Sequence, residues 1–384
     1  MRDISCAGRF ISLKEMKIER ITLREIHLPL VHYFETSFGR TDVRRILLVE
    51  LQAGGLSGWG ECTAPEGPYY NYETVETAWH IISGFIVAPI LSEGIEHPTR
   101  LPRIVERIRG HNMAKGAVEA GLWDLFARAQ SRPLSQTIGG TRKWIDCGVS
   151  IGIQKDLDTL LGKIEAELAA GYRKIKIKIM PGWDVAVVER IRRRYPDIPL
   201  MVDANSAYSL RDADLLKRLD NFNLMMIEQP LRHDDLVEHA QLQESLQTPL
   251  CLDESIRSYY DAKAALALGS CRIINIKLGR VGGFAGARRI HDLCYAQGIA
   301  VWCGGMLESG VGRAHNIALS SLPGFTLPGD VSASRRYFAR DTVTRPIEVS
   351  PQGQIEVPLD AGSGYEPDAG FIQSVTVRKE VFGN

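Results

Sequence analysis

Five charged residues recur at a nearly constant interval through the middle of the chain. Lys178, Asp203, Glu228, Asp253 and Lys277 are separated by 25, 25, 25 and 24 residues. Each stands near the C-terminal end of a short apolar run: "KIKIKI", "PLMVDAN", "LMMIEQP", "PLCLDES" and "IINIKLG". A lone Asp at such a place reads as a helix cap and a lone Lys as a surface charge. Equal spacing over five successive runs is not expected of independent accidents. Three carboxylates converging in an apolar mouth cannot all stay ionised without counter-charge. A hard divalent cation meets that need, and Mg²⁺, or a similar ion such as Mn²⁺, suits an all-oxygen donor set of Asp203, Glu228 and Asp253. No His or Cys shares the series, so zinc is not expected. Lys178 and Lys277 flank the carboxylates from opposite sides. A nearby cation and a second ammonium group disfavour their charged forms, so their pKa values are expected to fall into the range of a general base. Two such bases around a metal suit removal of a proton α to a carboxylate, with the metal stabilising the enediolate.

The interval is about the length of one βα unit, and the elements around it follow that rhythm. Short apolar runs at 147–153, 174–179, 199–205, 224–230, 249–255, 273–279, 300–306 and 325–330 alternate with segments long enough for helices. Eight strands without a break predict a closed parallel barrel, whose C-terminal rim carries the active site. No GxGxxG opens a helix after the first strand, which counts against a dinucleotide-binding sheet. Before the barrel, "KIERITLREIHL" (17–28) and "RRILLVELQ" (44–52) read as strands and about 72–130 as helical, clearest in "MAKGAVEAGLWDLFARAQ". The expected division is an extension at 1–15, an α+β domain at 16–140 joined by the C-terminal segment 335–384, and the barrel at 141–334.

Other features narrow the function classes. Lys+Arg and Asp+Glu both number 46, so formal net charge is zero and no nucleic-acid surface is indicated. No apolar run reads from the sequence as a membrane span, and the first 15 residues lack the apolar centre of a secretory signal. The seven cysteines include no CxxC pair and read as free thiols of a cytoplasmic protein. In "RKIKIKI" (173–179) the lysines alternate with isoleucines at period two, so they share one strand face. Lys178 lies at the rim, Lys176 one pleat deeper, and Lys174 reads as solvent-facing or salt-bridged. "GRVGG" (279–283) lacks the ending of a P-loop and reads as a tight turn that leaves Arg280 free to face the cavity. The glycine N–H groups of "GMLESG" (305–310) are suited to a substrate carboxylate.

These residues resemble the enolase superfamily and its muconate-lactonizing subgroup: KxK on the second strand, Asp, Glu and Asp on the next three, and Lys on the sixth. More closely, "MAKGAVEAGLWDLFARAQSRPL", "GYRKIKIKIMPGWD", "VDANSAYSL" and "WCGGMLESGVGRAHNIALSSLPGFTLPGDVSAS" are similar to the o-succinylbenzoate synthase / N-succinylamino acid racemase family, over about residues 17–375. "NIKLGRVGG" departs slightly, with Leu278 where many relatives carry Pro. The resemblance implies a (β/α)₇β TIM-like barrel with an α+β capping domain and an oligomeric assembly. It implies a metal on Asp203, Glu228 and Asp253, acid/base work by Lys178 and Lys277, and substrate contacts from Ser150, Lys176, Asn205, Gly305, Met306 and Leu307. Arg280 resembles an arginine of racemase-competent members. Cap loops at 32–40 and 64–74 should close over a small carboxylate substrate. Synthase and racemase share this site, and both readings stay open. A dipeptide epimerase would want an Asp-x-Asp on the last strand, where only Asp330 stands. A mandelate-racemase-type enzyme would want a His at "WCGGM". A catalytically silent scaffold has no need of three clustered carboxylates.

Overall fold

Residues 17–36 and 39–383 are described by the structure, a computed structural model. The expectation for residues 1–15 falls outside them. Strands β1 (Arg20–Thr36), β2 (Gly39–Ala53) and β3 (Leu56–Cys62) form an antiparallel meander. Gly54 and Gly55, both at positive φ, make the two-residue turn from β2 to β3. The final strand, β11 (Thr376–Gly383), returns to pair with β1, giving the order β11-β1-β2-β3.

Helices α1 (Val75–Ile81) and α2 (Val87–Glu93), joined by a π-helical turn, are followed by α3 (Asn112–Ala129). The stretch Val75–Glu93 has the length and mean hydropathy (1.4) of a membrane span, a feature the sequence reading passed over. In the fold, its Trp79, Ile82, Ile86 and Ile90 are buried in the core. Helix α3 is buried on nearly all sides, since nearly every residue from Met113 to Ala127 is buried. The helix lies in backbone contact with β3: a Cβ on Gly60 would sit 1.9 Å from the Ala117 carbonyl oxygen.

The second body is a curled sheet of seven parallel strands in sequential order: β4 (Gly148–Ile151), β5 (Lys174–Lys178), β6 (Leu200–Asp203), β7 (Ile227–Glu228), β8 (Leu250–Leu252), β9 (Ile273–Ile276) and β10 (Ala300–Cys303). The helices that follow them are α4 (Leu157–Ala169), α5 (Val185–Arg194), α6 (Ala213–Lys217), α7 (Val237–Ser245), α8 (Tyr259–Leu268), α9 (Phe284–Ala296) and α10 (Gly310–Ser320). The eighth run, 325–330, forms no regular ladder. It touches both edges of the sheet by single bridges, Val301↔Phe325 and Cys147↔Gly329, and so closes the ring. Prolines and glycines in "LPGFTLPGD" explain why pairing stops at bridges. Parallel strands packed by helices outside and side chains inside are buried on both faces. All five residues of β5 are accordingly buried, including three lysines.

Candidate active site

The five charged residues stand at one level. Lys178, Asp203 and Glu228 are the last residues of β5, β6 and β7, paired in register as Lys178↔Asp203 and Asp203↔Glu228. Asp253 and Lys277 follow the last residues of β8 and β9. Lys178 Nζ donates to Asp203 Oδ2 at 2.6 Å and to Asn205 Oδ1 at 2.7 Å. At the other end of the row, Lys277 Nζ donates to Asp253 Oδ2 at 2.8 Å. One pleat below Lys178, Lys176 Nζ lies 3.0 Å from Glu228 Oε2, 2.7 Å from Asp330 Oδ2 and 3.4 Å from Asp203 Oδ2. Lys174 is deeper still, fully buried, with its Nζ 2.9 Å from Asp330 Oδ1 and 3.9 Å from the centre of the Trp302 ring. Of the two roles expected for Lys174, it takes the salt-bridged one and does not face solvent.

Local backbone shape aims these groups. Asn205, Gln229 and Leu307, each just past a ring strand, have positive φ values of 42°, 39° and 57°. Non-glycine residues seldom adopt that region, and they do so most where function fixes the chain. The Gln229 side chain accepts from the backbone N–H groups of Asp253 (3.0 Å) and Ser255 (3.2 Å) and so holds the Asp253 turn.

A cavity of about 720 Å³ opens above the row. Ser150, Lys176, Lys178, Asn205, Lys277, Gly305, Met306 and Leu307 line it from the ring; Phe34, Thr36, Arg44 and Tyr70 line it from the capping domain. Arg280, expected with Ser150 and Lys176 to bind substrate because the 279–283 turn leaves it free to face the cavity, does not line it. The 279–283 turn carries this residue inward, where its guanidinium bonds Asp253 Oδ1 and donates through Nε to the Ile256 carbonyl at 2.7 Å.

Three site residues escaped the sequence reading as members of the site. Tyr70 reaches in from the capping domain. Its hydroxyl accepts from Lys277 Nζ at 3.2 Å and from Arg280 Nη1 at 3.1 Å, and donates to Asp253 Oδ1 at 3.1 Å. The loop "APEGPYYNYET" was visible, but nothing separates Tyr70 from the exposed Tyr69 and Tyr72 beside it. Glu254 follows Asp253 directly; its Oε1 accepts from Asn205 Nδ2 at 2.9 Å, and its buried Oε2 has no partner. Asp330, noted in the sequence only as one half of an incomplete Asp-x-Asp, is the counter-ion of Lys174 and Lys176.

Burial and charge set the protonation pattern. Burial would raise Asp203, but Lys178 and Lys176 overrule it and hold the carboxyl well below the usual range. Burial and the neighbouring Asp203 push Glu228 up, and the same two causes push up Glu254. Burial opposes the charge on Lys176, yet Asp330, Glu228 and Asp203 keep it raised. Burial lowers Lys277, but the groups facing it are Tyr70 and carboxylates, and the net shift is upward.

The resemblance seen in the sequence implies a divalent metal on Asp203, Glu228 and Asp253. Among the described residues no three carboxylate, His or Cys groups stand as a preformed cage. Lysines and Arg280 bond the same oxygens a cation would take. The residues nonetheless fit a hard cation: the donors are all carboxylate oxygens, burial and the neighbouring Asp203 raise Glu228, and Glu254 Oε2 is buried and unsatisfied.

Comparison with known proteins agrees with this geometry. The mandelate racemase / muconate lactonizing enzyme N-terminal domain matches residues 19–139, and the enolase C-terminal domain-like family matches 161–370. An o-succinylbenzoate synthase of Geobacillus kaustophilus is 54% identical over 96% of this chain and 98% of its own. An N-succinylamino acid racemase of Amycolatopsis is 44% identical over 96% of this chain and 100% of its own. The structure of an enolase superfamily member from Listeria innocua superposes with a TM-score of 0.92 at 43% identity, covering 96% of this chain and 99% of that one. The chain therefore belongs to the mandelate racemase / muconate lactonizing enzyme family of the enolase superfamily, and within it to the o-succinylbenzoate synthase / N-succinylamino acid racemase group.

Proposed function

We propose that this chain is a divalent-metal-dependent o-succinylbenzoate synthase, dehydrating 2-succinyl-6-hydroxy-2,4-cyclohexadiene-1-carboxylate. The observation that carries this reading is the placement of Lys178 and Lys277 at opposite ends of one row of buried carboxylates, both facing a single cavity. Lys178, as the neutral amine, takes the α-proton. The bond to the ring hydroxyl then breaks, and the Lys178 ammonium gives the same proton to the departing oxygen, so that water leaves. Lys277 stays protonated on the other face, where its charge offsets the negative charge growing on the substrate carboxylate. Lys176 and the unpartnered Ser150 hydroxyl orient that carboxylate. We assign Asp203, Glu228 and Asp253 to the cation, Mg²⁺ by the hardness of the donors, which when bound supplies positive charge to the substrate carboxylate.

A second activity, N-succinylamino acid racemisation, is favoured by the same pair of lysines. One removes the α-proton and the other returns it to the opposite face. Support comes from the racemase relative and from the raised, hydrogen-bonded Lys277, which is held ready as an acid. The same reading carries the division of the chain into 16–140 with 335–384 and 141–334, an oligomeric assembly and a cytoplasmic location. Size-exclusion with light scattering checks the assembly.

The deciding measurement compares kcat/KM for the dehydration with kcat/KM for a panel of N-succinyl amino acids. Lys178→Ala and Lys277→Ala should each lower both activities by at least about 100-fold, the scale of general acid–base catalysis. Full turnover in either folded variant would remove that lysine from the mechanism. Exhaustive chelation should abolish activity and added Mg²⁺ should restore it; turnover that survives chelation contradicts the metal assignment.

A further inference from the structure

The loop after β10, Gly304–Ser309, makes one wall of the cavity through Gly305, Met306 and Leu307. Leu307 is held there at φ 57°, which a Leu adopts only under constraint. The ring itself holds part of the loop, through the Met306 N–H to Glu308 Oε2 at 2.9 Å and Arg313 Nη2 to the Glu308 carbonyl at 2.6 Å, and its far end is held from outside the ring. Glu61, the next-to-last residue of β3, is buried and reaches across to the start of α10. Its Oε1 accepts from the Ser309 N–H at 3.0 Å. Its Oε2 accepts from the Ser309 hydroxyl at 2.5 Å and from the Gly312 N–H at 2.9 Å. A glycine is required opposite it, since a Cβ on residue 312 would lie 2.8 Å from Glu61 Cδ.

The rest of the α10 start is held in the same manner. The Gly310 N–H donates to Asp341 Oδ1 at 2.5 Å and the Val311 N–H to Thr342 Oγ1 at 3.3 Å. Ser309 makes no capping bond of its own. The first-turn N–H groups, which every helix must satisfy somewhere, are thus bound by side chains of the capping domain and the C-terminal segment. Just past Glu61, Arg44 donates to the Thr63 carbonyl at 2.9 Å and so fixes the root of the loop that carries Tyr70 to Lys277. One short stretch of the capping domain therefore anchors two walls of the site.

We propose that Glu61 is a positioning residue for the substrate: from the capping domain it fixes the Gly304–Ser309 loop, so that the wall formed by Gly305, Met306 and Leu307 takes its shape from the docked cap. That wall meets the body of the substrate and not the transferred proton. Loosening it weakens ground state and transition state alike, which raises KM and leaves kcat. A residue that served only the stability of the fold would change neither constant in the folded enzyme.

The test uses the full chain with saturating metal and rests on the proposed reaction for its readout alone. Absence of turnover in the unaltered enzyme would count against the reaction; the split between constants among variants judges Glu61. Glu61→Gln is expected to raise KM about tenfold or more while kcat stays within about threefold, the pattern of lost uniform binding. Gly312→Ala, which keeps the Glu61 carboxylate but displaces it, with the new Cβ also against Glu308 Cβ and Cγ at 3.0 Å, should do the same. If Glu61→Gln fails to fold, Gly312→Ala and Ser309→Ala carry the test. Unchanged KM in the folded variants, or kcat falling in step with kcat/KM, would overturn the proposal.

Discussion

The Tyr70 hydroxyl stands where Lys277, Arg280 and Asp253 meet, and the Lys277 ammonium also lies 4.5 Å from the centre of its ring. Tyr70→Phe keeps the ring contact and removes the hydroxyl. Lys277 then loses one hydrogen-bond partner, and Asp253 loses a donor. Racemisation, in which Lys277 moves a proton, should suffer more than dehydration, in which it supplies charge; a loss of about tenfold against about threefold is the expected scale for one hydrogen bond. Equal losses in both reactions would show that Tyr70 acts on something the two share. At this scale the five-residue series was legible because strand register turns a sequence interval into a common level. Tyr70 was not, because it arrives from a segment about 200 residues away with no periodicity to announce it. Arg280 was legible as a charge but not in direction, since the conformation of the 279–283 turn decides which way it points.

Between residue and molecule stand the connections from strand to helix. The turn at 279–283 follows Lys277 and leads into α9. Glu119 of α3 accepts from the N–H groups of Phe284 at 2.6 Å and Ala285 at 2.9 Å, so the capping domain again binds the start of a ring helix. Gly283 has φ 105°, and a Cβ there would lie 2.2 Å from Glu119 Oε2. Gly283→Ala should therefore destabilise the fold by about 1–3 kcal/mol, through strain and the displaced carboxylate. Denaturant titration measures it, and a change under about 0.5 kcal/mol, the range of an ordinary surface substitution, would contradict the account. Ring strands were legible from their apolar runs and barrel closure from their number. The break at 325–330 was signalled only by the prolines and glycines of "LPGFTLPGD"; which contacts survive there depends on two edges that only the assembled ring brings together.

For the molecule as a whole, Glu61 and Glu119 are buried carboxyls at the seam between capping domain and ring. Burial pushes both from the ordinary 4.5 up to about 7. The native chain thus binds more protons than the unfolded chain between those values. Their contribution to stability is fully present below about pH 4.5 and is lost as pH rises through 7. Asp203 and Asp330 have the opposite sign: held low by lysines, they stabilise above the ordinary carboxylate range and lose that effect only in stronger acid. Melting temperatures between pH 5.5 and 8 should fall less steeply in a Glu61→Gln, Glu119→Gln double variant than in the unaltered chain. Parallel slopes would mean that neither carboxyl titrates at the seam.

The closure of the ring by single bridges at Phe325 and Gly329 bears on how the barrel holds its shape. A seam without a continuous ladder is the place where a curled sheet would be expected to spring open. Asp330 sits on it and grips Lys174 and Lys176 of β5 across the interior. An electrostatic rivet thus reinforces a seam held by few backbone bonds, among them Gly148 N–H to the Gly329 carbonyl at 2.6 Å and Asp330 N–H to the Cys303 carbonyl at 2.8 Å. Neutralising it with Asp330→Asn should speed amide hydrogen exchange along 325–330 and β4 before it affects β7 or β8, so that the barrel breathes along one line.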